Sequence, residues 1–187
     1  MECLTNFKNI NFKFKRYSQL GFPPYRYIPE LNPHPTEDSK GHSFNRKENV
    51  PERLTVNNWF YHEIYLCGVD LYNHAYWWES HESWESLWKK EEKGRLTSEF
   101  LQGLIKISAA LIKWNLKSKR GLTILYNSAI QHLQKVSSEH KTYMGIFLPR
   151  HIRKLEKHFK PVLKDFVIWP DPLKDYPFLI LIKKDKS

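Results

Sequence analysis

The sequence predicts an all-α fold: a compact bundle of about five helices with an extended proline-rich N-terminal arm and an irregular C-terminal tail. Apolar residues recur at helical spacing after about residue 56. Seven glycines in 187 residues are too few for a turn-dense all-β design. Most prolines fall outside the periodic segments. We therefore divide the chain into an arm (1–55), a helical domain (56–165) and a tail (166–187).

The arm is unsuited to helix because its six prolines lack a backbone donor and disfavour helix before themselves. It cannot build a core of its own, so it must lie over the helical domain or be mobile. It contains two histidines, His34 and His42, close to turn-forming residues. Either histidine could therefore reach a site that other elements build.

The first helix is predicted from Val56 onward, with an apolar face that repeats every 3.6 residues. The residues of that face are Phe60, Ile64, Cys67 and Leu71. Gly68 weakens this helix by roughly 1 kcal/mol without ending it. A tight turn is expected at residues 73–75, and a second helix follows at residues 76–92, before Gly94.

The third helix is predicted to begin with Thr97 or Ser98 as its cap. Its apolar face comprises Phe100, Leu101, Leu104, Ile107, Leu111 and Trp114. The small residues at 108–110 allow a neighbouring helix to approach closely.

Two further helices and the tail complete the predicted fold. The fourth helix follows Gly121, and its apolar face comprises Leu122, Leu125, Ala129 and Leu133. The fifth begins after Pro149 and ends near Pro161, because proline disrupts a helix interior. The tail is predicted to be extended, with one short strand at residues 178–182.

The net charge of +10 is unevenly distributed. Residues 61–100 carry eight acidic and four basic side chains, whereas residues 101–187 carry 17 basic and six acidic ones. Such a basic region can attract nucleic acid or an acidic partner, or it can simply keep the protein soluble. No recognised nucleic-acid motif accompanies the charge.

Composition also restricts the cellular context. Two cysteines, Cys3 and Cys67, are too few for a disulfide framework, and we expect free thiols in a reducing compartment. No apolar run has the length of a signal peptide core or a membrane span. We therefore expect a cytoplasmic protein without a membrane partner, and a homo-oligomer is compatible with the sequence.

The stretch from Asn73 to Trp88, NHAYWWESHESWESLW, contains the candidate functional residues. On a helix from Tyr76, a tryptophan stripe should be buried, and it comprises Trp77, Trp84 and Trp88 with His81 in register. His81, Glu82 and Glu85 then lie on one shoulder of that stripe. Partly desolvated charges of this kind need partners or a ligand.

Neighbouring elements could supply those partners. On the third helix, Gln102 could orient His81, and Lys106 could neutralise Glu82 or Glu85. Asp70 and His74 could close the cluster from the preceding turn, and His34 or His42 could close it from the arm.

Two hypotheses follow. In the first, His81 and Glu85 bind a divalent metal with Glu82, His74 or Asp70, and the metal activates water. In the second, the same groups form a buried hydrogen-bond network that ties two helices together, so that Glu85→Gln should destabilise the fold. The motif is neither the HExxH of zinc proteases nor a Glu-x-x-His di-iron helix.

The segments DLYNHAYWWESHESWESLW and FLQGLIKISAALIKW resemble the family called domain of unknown function 309. Ala75 stands where that family has glycine, and Ser80 where it has alanine. The matching positions are Tyr72, Asn73, Trp78, Glu79, His81, Glu82, Trp84, Glu85, Trp88, Leu101, Gln102, Gly103, Leu104, Ile105, Ala109 and Ala110. The arm segment IPELNPHPTEDSKGHS is also similar to a subgroup of the family.

The resemblance implies a compact helical fold and a label of predicted metal-dependent hydrolase. We accordingly interpret His81 and Glu85 as metal ligands and Glu82 as a ligand or general base. Lys106 would stabilise developing negative charge, and Trp78, Trp84, Trp88 and Gln102 would line the pocket of a small-molecule substrate. The alternative is a non-catalytic binding or scaffold module with no such substrate, in which the basic C-terminal half binds nucleic acid or an acidic partner.

Overall fold

The computed structural model describes residues 14–46, 51–165 and 179–183, and the predicted all-α fold is confirmed there. Five α-helices run in chain order through the described residues, joined by short turns. They are α1 (Glu63–Asn73), α2 (Trp77–Trp88), α3 (Leu96–Asn115), α4 (Lys119–Glu139) and α5 (Leu148–Lys164). An antiparallel hairpin of β1 (Thr142–Tyr143) and β2 (Ile146–Phe147), which the sequence did not predict, joins α4 to α5.

The core lies around α3, which packs against both α2 and α4. Its predicted apolar face is confirmed, since the six residues from Phe100 to Trp114 that form it are all buried. Ser108 provides the expected close approach, because its Oγ lies 3.4 Å from Ser80 Oγ of α2. None of the described helices is long and apolar enough to cross a membrane.

Gly68 has a packing role that its low helix propensity obscures. A Cβ at this position would collide with the indole of Trp84, and Trp84 Nε1 donates to Tyr65 O at 3.3 Å. Ser80 Oγ donates to Gly68 O at 3.0 Å. The glycine therefore lets α1 and α2 pack closely, which drives the Trp84 side chain fully into the core.

The predicted start of the first helix near Val56 is wrong, since α1 begins at Glu63. Asn58 holds the preceding residues in turns: its Oδ1 accepts from Thr55 N at 2.7 Å, and its Nδ2 donates to Arg53 O at 2.9 Å. His62 caps α1 by accepting from Tyr65 N. Phe60 consequently lies outside the helix and is 45% exposed.

Other helix boundaries also differ from the predictions: α4 begins at Lys119, so Gly121 lies inside it, and α5 begins at Leu148, before Pro149. Helix α2 ends at Trp88, and α3 begins after Arg95 without a side-chain cap. Ser98 does not cap α3, because its Oγ accepts from Trp88 Nε1 at 3.0 Å. Helix α5 continues through Pro161 to Lys164, since Val162 extends its buried face and this packing offsets the proline.

The turn between α1 and α2 is confirmed, and three parts of the chain meet beside it. Ala75 adopts a left-handed conformation with φ of 64°. The Asn73 side chain accepts from Ile180 N at 2.8 Å and donates to Ile180 O at 2.9 Å. Of the strand predicted at 178–182, the structure shows one bridge between Ile182 and Ile146, and residue 178 lies outside the described residues.

Candidate functional site

Helix α2 presents two faces to different surroundings. Trp77 and Trp84 are buried as the tryptophan stripe predicted, and Trp88 is partly buried. His81 departs from the stripe, because it lies with Glu82 and Glu85 at the edge of the bundle where solvent reaches all three. The helix therefore fixes these three side chains on a rigid base and leaves their polar atoms accessible.

His81, Glu82 and Glu85 form what we call the His/Glu cluster. One ligand atom from each residue can be chosen so that all lie within 4.8 Å of one another. His81 Nδ1 is 3.2 Å from Glu82 Oε1, and the three side chains are 25%, 41% and 28% exposed respectively. They are thus half-buried, and they do not form the buried network of the second hypothesis.

The donor set of the His/Glu cluster fits a divalent metal. An imidazole nitrogen and carboxylate oxygens are the usual ligands of zinc and related cations. Three protein ligands leave coordination positions for water and substrate, which is the arrangement of catalytic rather than structural sites. Lys89 Nζ lies 3.2 Å from Glu85 Oε2 and would compete with a cation for that oxygen.

The predicted pairing of Lys106 with Glu82 or Glu85 is wrong, because Lys106 extends towards α4. Its Nζ donates to Ser128 Oγ at 2.7 Å and to His132 Nε2 at 2.8 Å. His132 Nδ1 donates to Glu99 Oε2 at 2.6 Å, and Lys135 Nζ donates to Glu99 Oε1 at 2.8 Å. This chain of hydrogen bonds ties α3 to α4.

Electrostatics in this α3–α4 network follow from its contacts. Burial lowers the pKa of the Lys106 ammonium, and the neighbouring Glu99 only partly opposes that shift. The hydrogen bond from Lys135 lowers the pKa of Glu99, and His132 adds to the effect. Gln102 is half-buried and makes no hydrogen bond to His81 in the described structure, so α3 contributes neither expected partner to the His/Glu cluster.

Asp70 and His74 also lie apart from the His/Glu cluster. The Asp70 carboxylate is fully buried and accepts from Tyr17 N at 2.8 Å and from Ser18 N at 2.9 Å. Arg16 Nε lies 3.5 Å from the same carboxylate. His74 Nδ1 is 2.7 Å from Asp70 O, and burial lowers the pKa of its ring. Asp70 thus anchors the arm and is not positioned as a metal ligand.

A second carboxylate, Glu79, anchors another part of the arm. Its Oε1 accepts from Tyr27 N at 2.8 Å and lies 3.2 Å from His42 Nε2. Both side chains are at least 95% buried, and Glu79 Oε2 has no hydrogen-bond partner within the described part of the chain. His42 therefore meets α2 at Glu79 and is not among the residues whose donor atoms group with the His/Glu cluster.

The predicted pocket walls are divided between these regions. Trp78 packs edge-on against Tyr27 and His34 of the arm, so it belongs to the arm interface. Trp84 is fully buried and cannot contact a ligand. Trp88 bonds to Ser98 at the start of α3. The structure does not bring these three indoles together around a single pocket.

Sequence reasoning missed the anchoring contacts of Glu79 and the α3–α4 network. Glu79 stood in the motif, but nothing in the spacing linked it to His42, which is 37 residues away. Ser128 and His132 are four residues apart on one helix, and that spacing could have marked them as neighbours. The Glu99 that completes their network comes from another helix and carries no local signal.

Comparisons with known proteins agree with the resemblance seen in the sequence. Residues 65–125 match the model of the family described as Domain of unknown function (DUF309). This segment runs from α1 to the first part of α4 and includes the whole His/Glu cluster. A search of curated proteins finds no match to the chain.

Proposed function

Residues 65–125 match the DUF309 family model, and on that premise we propose that the protein is a metal-dependent hydrolase. The cation would be held by His81, Glu82 and Glu85. The observation that carries the proposal is the approach of three donor atoms within 4.8 Å on one rigid helix, with their side chains open to solvent. The family description itself names no activity, so the chemistry rests on these residues.

The composition of the cluster favours a first-row divalent cation. Imidazole suits zinc and iron better than magnesium or calcium, which prefer oxygen ligands. Two carboxylates would offset the charge of the cation, so the site would be close to neutral when filled. A cation held here would lower the pKa of bound water and polarise a substrate carbonyl or phosphoryl oxygen.

The remaining catalytic roles would fall to side chains of the protein. Glu82 has the most exposed side chain of the three, and its Oε1 already lies within hydrogen-bond reach of His81. That oxygen is placed either to complete the ligand set or to accept a proton from water. Lys106 takes no part in this scheme, because Ser128 and His132 hold its ammonium at α4.

Metal analysis of protein purified without a histidine tag tests the binding step. After growth with zinc, manganese, iron or cobalt, we expect one equivalent of metal in the parent and none in His81→Ala. The matched control is His140→Ala, which changes an exposed histidine at the end of α4 and should retain the metal. Absence of metal under every supplement, or equal loss in the control, would contradict the proposal.

The hydrolytic step needs a separate measurement. A panel of chromogenic carboxylic and phosphoric esters should show turnover that a chelator abolishes and the bound metal restores. Glu82→Gln should lose that turnover, and if it keeps its metal, Glu82 acts as the base and not as a ligand. A stoichiometric metal without turnover on any ester would reduce the proposal to a metal-binding domain.

A non-catalytic binding or scaffold module is the second candidate. It is favoured by the way Asp70 and Glu79 capture backbone N–H groups of an extended segment, as a peptide-docking surface does. Its basic C-terminal half would bind nucleic acid or an acidic protein. The affinity for RNA or DNA should then fall steeply with salt, and a flat salt dependence would exclude binding by counterion release.

A further inference from the structure

A cavity lies where the first turn of α5, the hairpin and residues 179–183 meet, on a part of the chain outside the matched family segment. It is a cleft of about 70 Å³ that opens to solvent, since Phe147, Arg150, Leu181 and Lys183 are exposed. We call it the α5 cavity. The lining residues that matter here are Phe147, Arg150, His151, Lys154, Leu181 and Lys183.

The polar lining of the α5 cavity is basic. Arg150, Lys154 and Lys183 contribute three cationic side chains, and no carboxylate is among the described residues that line it. Burial lowers the pKa of Lys154, and repulsion from Arg150 lowers it further. Cations brought close together raise one another's free energy, and a bound anion would relieve that repulsion.

His151 adds a buried polar group to the same cavity. Its side chain lines the cavity but is only 4% exposed, and its Nε2 has no hydrogen-bond partner among the residues that the structure describes. A buried ring nitrogen without a partner costs free energy, so such atoms commonly mark a missing ligand or water. Burial lowers the pKa of His151 to about 4, so the ring is neutral near pH 7 and can donate one hydrogen bond.

The backbone reinforces the preference for an anion. Helix α5 has 17 residues and begins at Leu148 with a proline in its first turn, so Arg150 and His151 stand at its N-terminal end. The N-terminus of a helix carries a partial positive charge that favours anions. In α5 this charge is the main backbone contribution, because Leu148 N already donates to Lys141 O at 2.9 Å and Pro149 has no N–H. The N-terminal end of α5, the cationic side chains and the His151 ring therefore all lie at the α5 cavity.

We propose that the α5 cavity binds a phosphate group, carried either by a small phosphoester or by a nucleic-acid backbone. Arg150 and Lys154 supply the charge, and His151 supplies a hydrogen bond at fixed orientation. Phe147 and Leu181 form the apolar sides of the cavity. The cleft is open to solvent, so the rest of the ligand would extend outside it.

The first experiment uses inorganic phosphate as the probe and the full chain as the protein. Phosphate titration, followed by NMR of the His151 ring nitrogens and by calorimetry, should show saturable binding that shifts those signals. Lys154→Met should weaken binding at least tenfold. The matched control is Lys157→Met, an exposed lysine of α5 that does not line the cavity, and it should bind as the parent does.

Two arms distinguish the sources of the phosphate. If the ligand is a small phosphoester, a phosphomonoester should bind more tightly than inorganic phosphate, and a single-stranded oligonucleotide should not compete. If it is a nucleic-acid backbone, the oligonucleotide should compete, and its affinity should fall with salt and with Lys154→Met. No saturable shift of the His151 signals, or equal weakening in Lys157→Met, would overturn the proposal.

This site is independent of the proposed hydrolase chemistry. His81→Ala should abolish metal binding and leave phosphate binding unchanged, because the two sites share no residue. His151→Gln provides a second variant that keeps a hydrogen-bond donor, and it should bind phosphate more weakly without losing the fold. Failure of either proposal is therefore recognisable apart from the other.

Discussion

Four of the five carboxylates of α1 and α2 divide into two pairs with opposite surroundings. Asp70 and Glu79 are at least 95% buried and accept hydrogen bonds from the backbone of the arm. Glu82 and Glu85 lie on the same helix as Glu79 but are 41% and 28% exposed, with only side-chain partners. The first pair is committed to the fold, whereas the second is available to a ligand.

The metal-site hypothesis and the buried-network hypothesis therefore fit different residues. A buried network that ties elements together exists, but Asp70 and Glu79 form it. The cluster whose donor atoms lie close enough together to hold a metal ion is the half-buried one. Four variants, taken from the largest expected effect to the smallest, test this division.

Asp70→Asn should destabilise the protein most, by about 3 kcal/mol. An amide would present donor hydrogens to backbone N–H groups of Tyr17 and Ser18 and would lose the charge opposite Arg16. For a protein of this size the melting temperature should fall by roughly 10 °C. Thermal unfolding at pH 7 measures the effect, and a shift below about 2 °C would mean that Asp70 does not hold the arm.

Glu79→Gln should cost less, about 1–2 kcal/mol. The amide oxygen can still accept from Tyr27 N, but the carboxylate charge beside His42 is lost. The second carboxylate oxygen, Oε2, has no hydrogen-bond partner among the described residues, so its replacement by an amide NH₂ breaks no bond there. Limited proteolysis is the sharper measurement, because cleavage in the arm should rise while the helices stay protected. Unchanged cleavage of the arm would contradict the anchoring role.

Glu99→Gln offers an intermediate case, because Glu99 is 15% exposed and belongs to the α3–α4 network. Its pKa is lowered in the folded protein, chiefly by Lys135. A lowered carboxyl pKa contributes stability above the unfolded value of about 4.3, and that contribution disappears as pH falls through the folded pKa. The difference in stability between parent and variant should be constant above about pH 5 and shrink below it. If the stability difference between parent and variant grew on acidification, the pKa of Glu99 would be raised, and not lowered, in the folded protein.

Glu85→Gln should have the smallest effect on stability, within about 0.5 kcal/mol of the parent, because it removes only a surface pair with Lys89. The large loss expected of a buried network therefore should not occur. The same variant should lose metal affinity, and metal should raise the melting temperature of the parent more than that of the variant. A heavily destabilised Glu85→Gln would restore the structural hypothesis for the His/Glu cluster.

Features that depend on residues close in sequence were predictable. Helical periodicity placed the core face of α3 correctly, and the spacing of His81, Glu82 and Glu85 brought them together because all three sit on one helix. A helical wheel gives the angle of a side chain from the core. It does not show which neighbouring helix packs at that edge. The sequence predicts that Lys106 contacts α2, whereas its Nζ donates to Ser128 of α4.

Contacts between distant segments were not predictable from periodicity. His42 and Glu79 are separated by 37 residues, and no repeating pattern connects a coil to a helix. Helix boundaries also depend on which partner a polar side chain binds. The Ser98 hydroxyl accepts a hydrogen bond from Trp88 Nε1 and does not cap α3. Trp84 was expected to line a pocket, but the missing side chain at Gly68 allows it to sink into the core.

The contact between Asn73 and Ile180 has a consequence for the order in which parts of the protein fold during synthesis. The two residues are separated by 107 positions, and the bond from Ile182 N to Tyr17 OH spans 165. On the ribosome, the helical domain can assemble while translation continues, but the turn before α2 stays without this clamp until Ile180 emerges. A nascent chain stalled before that point would therefore carry the His/Glu cluster on a helix whose N-terminal turn is still free to open.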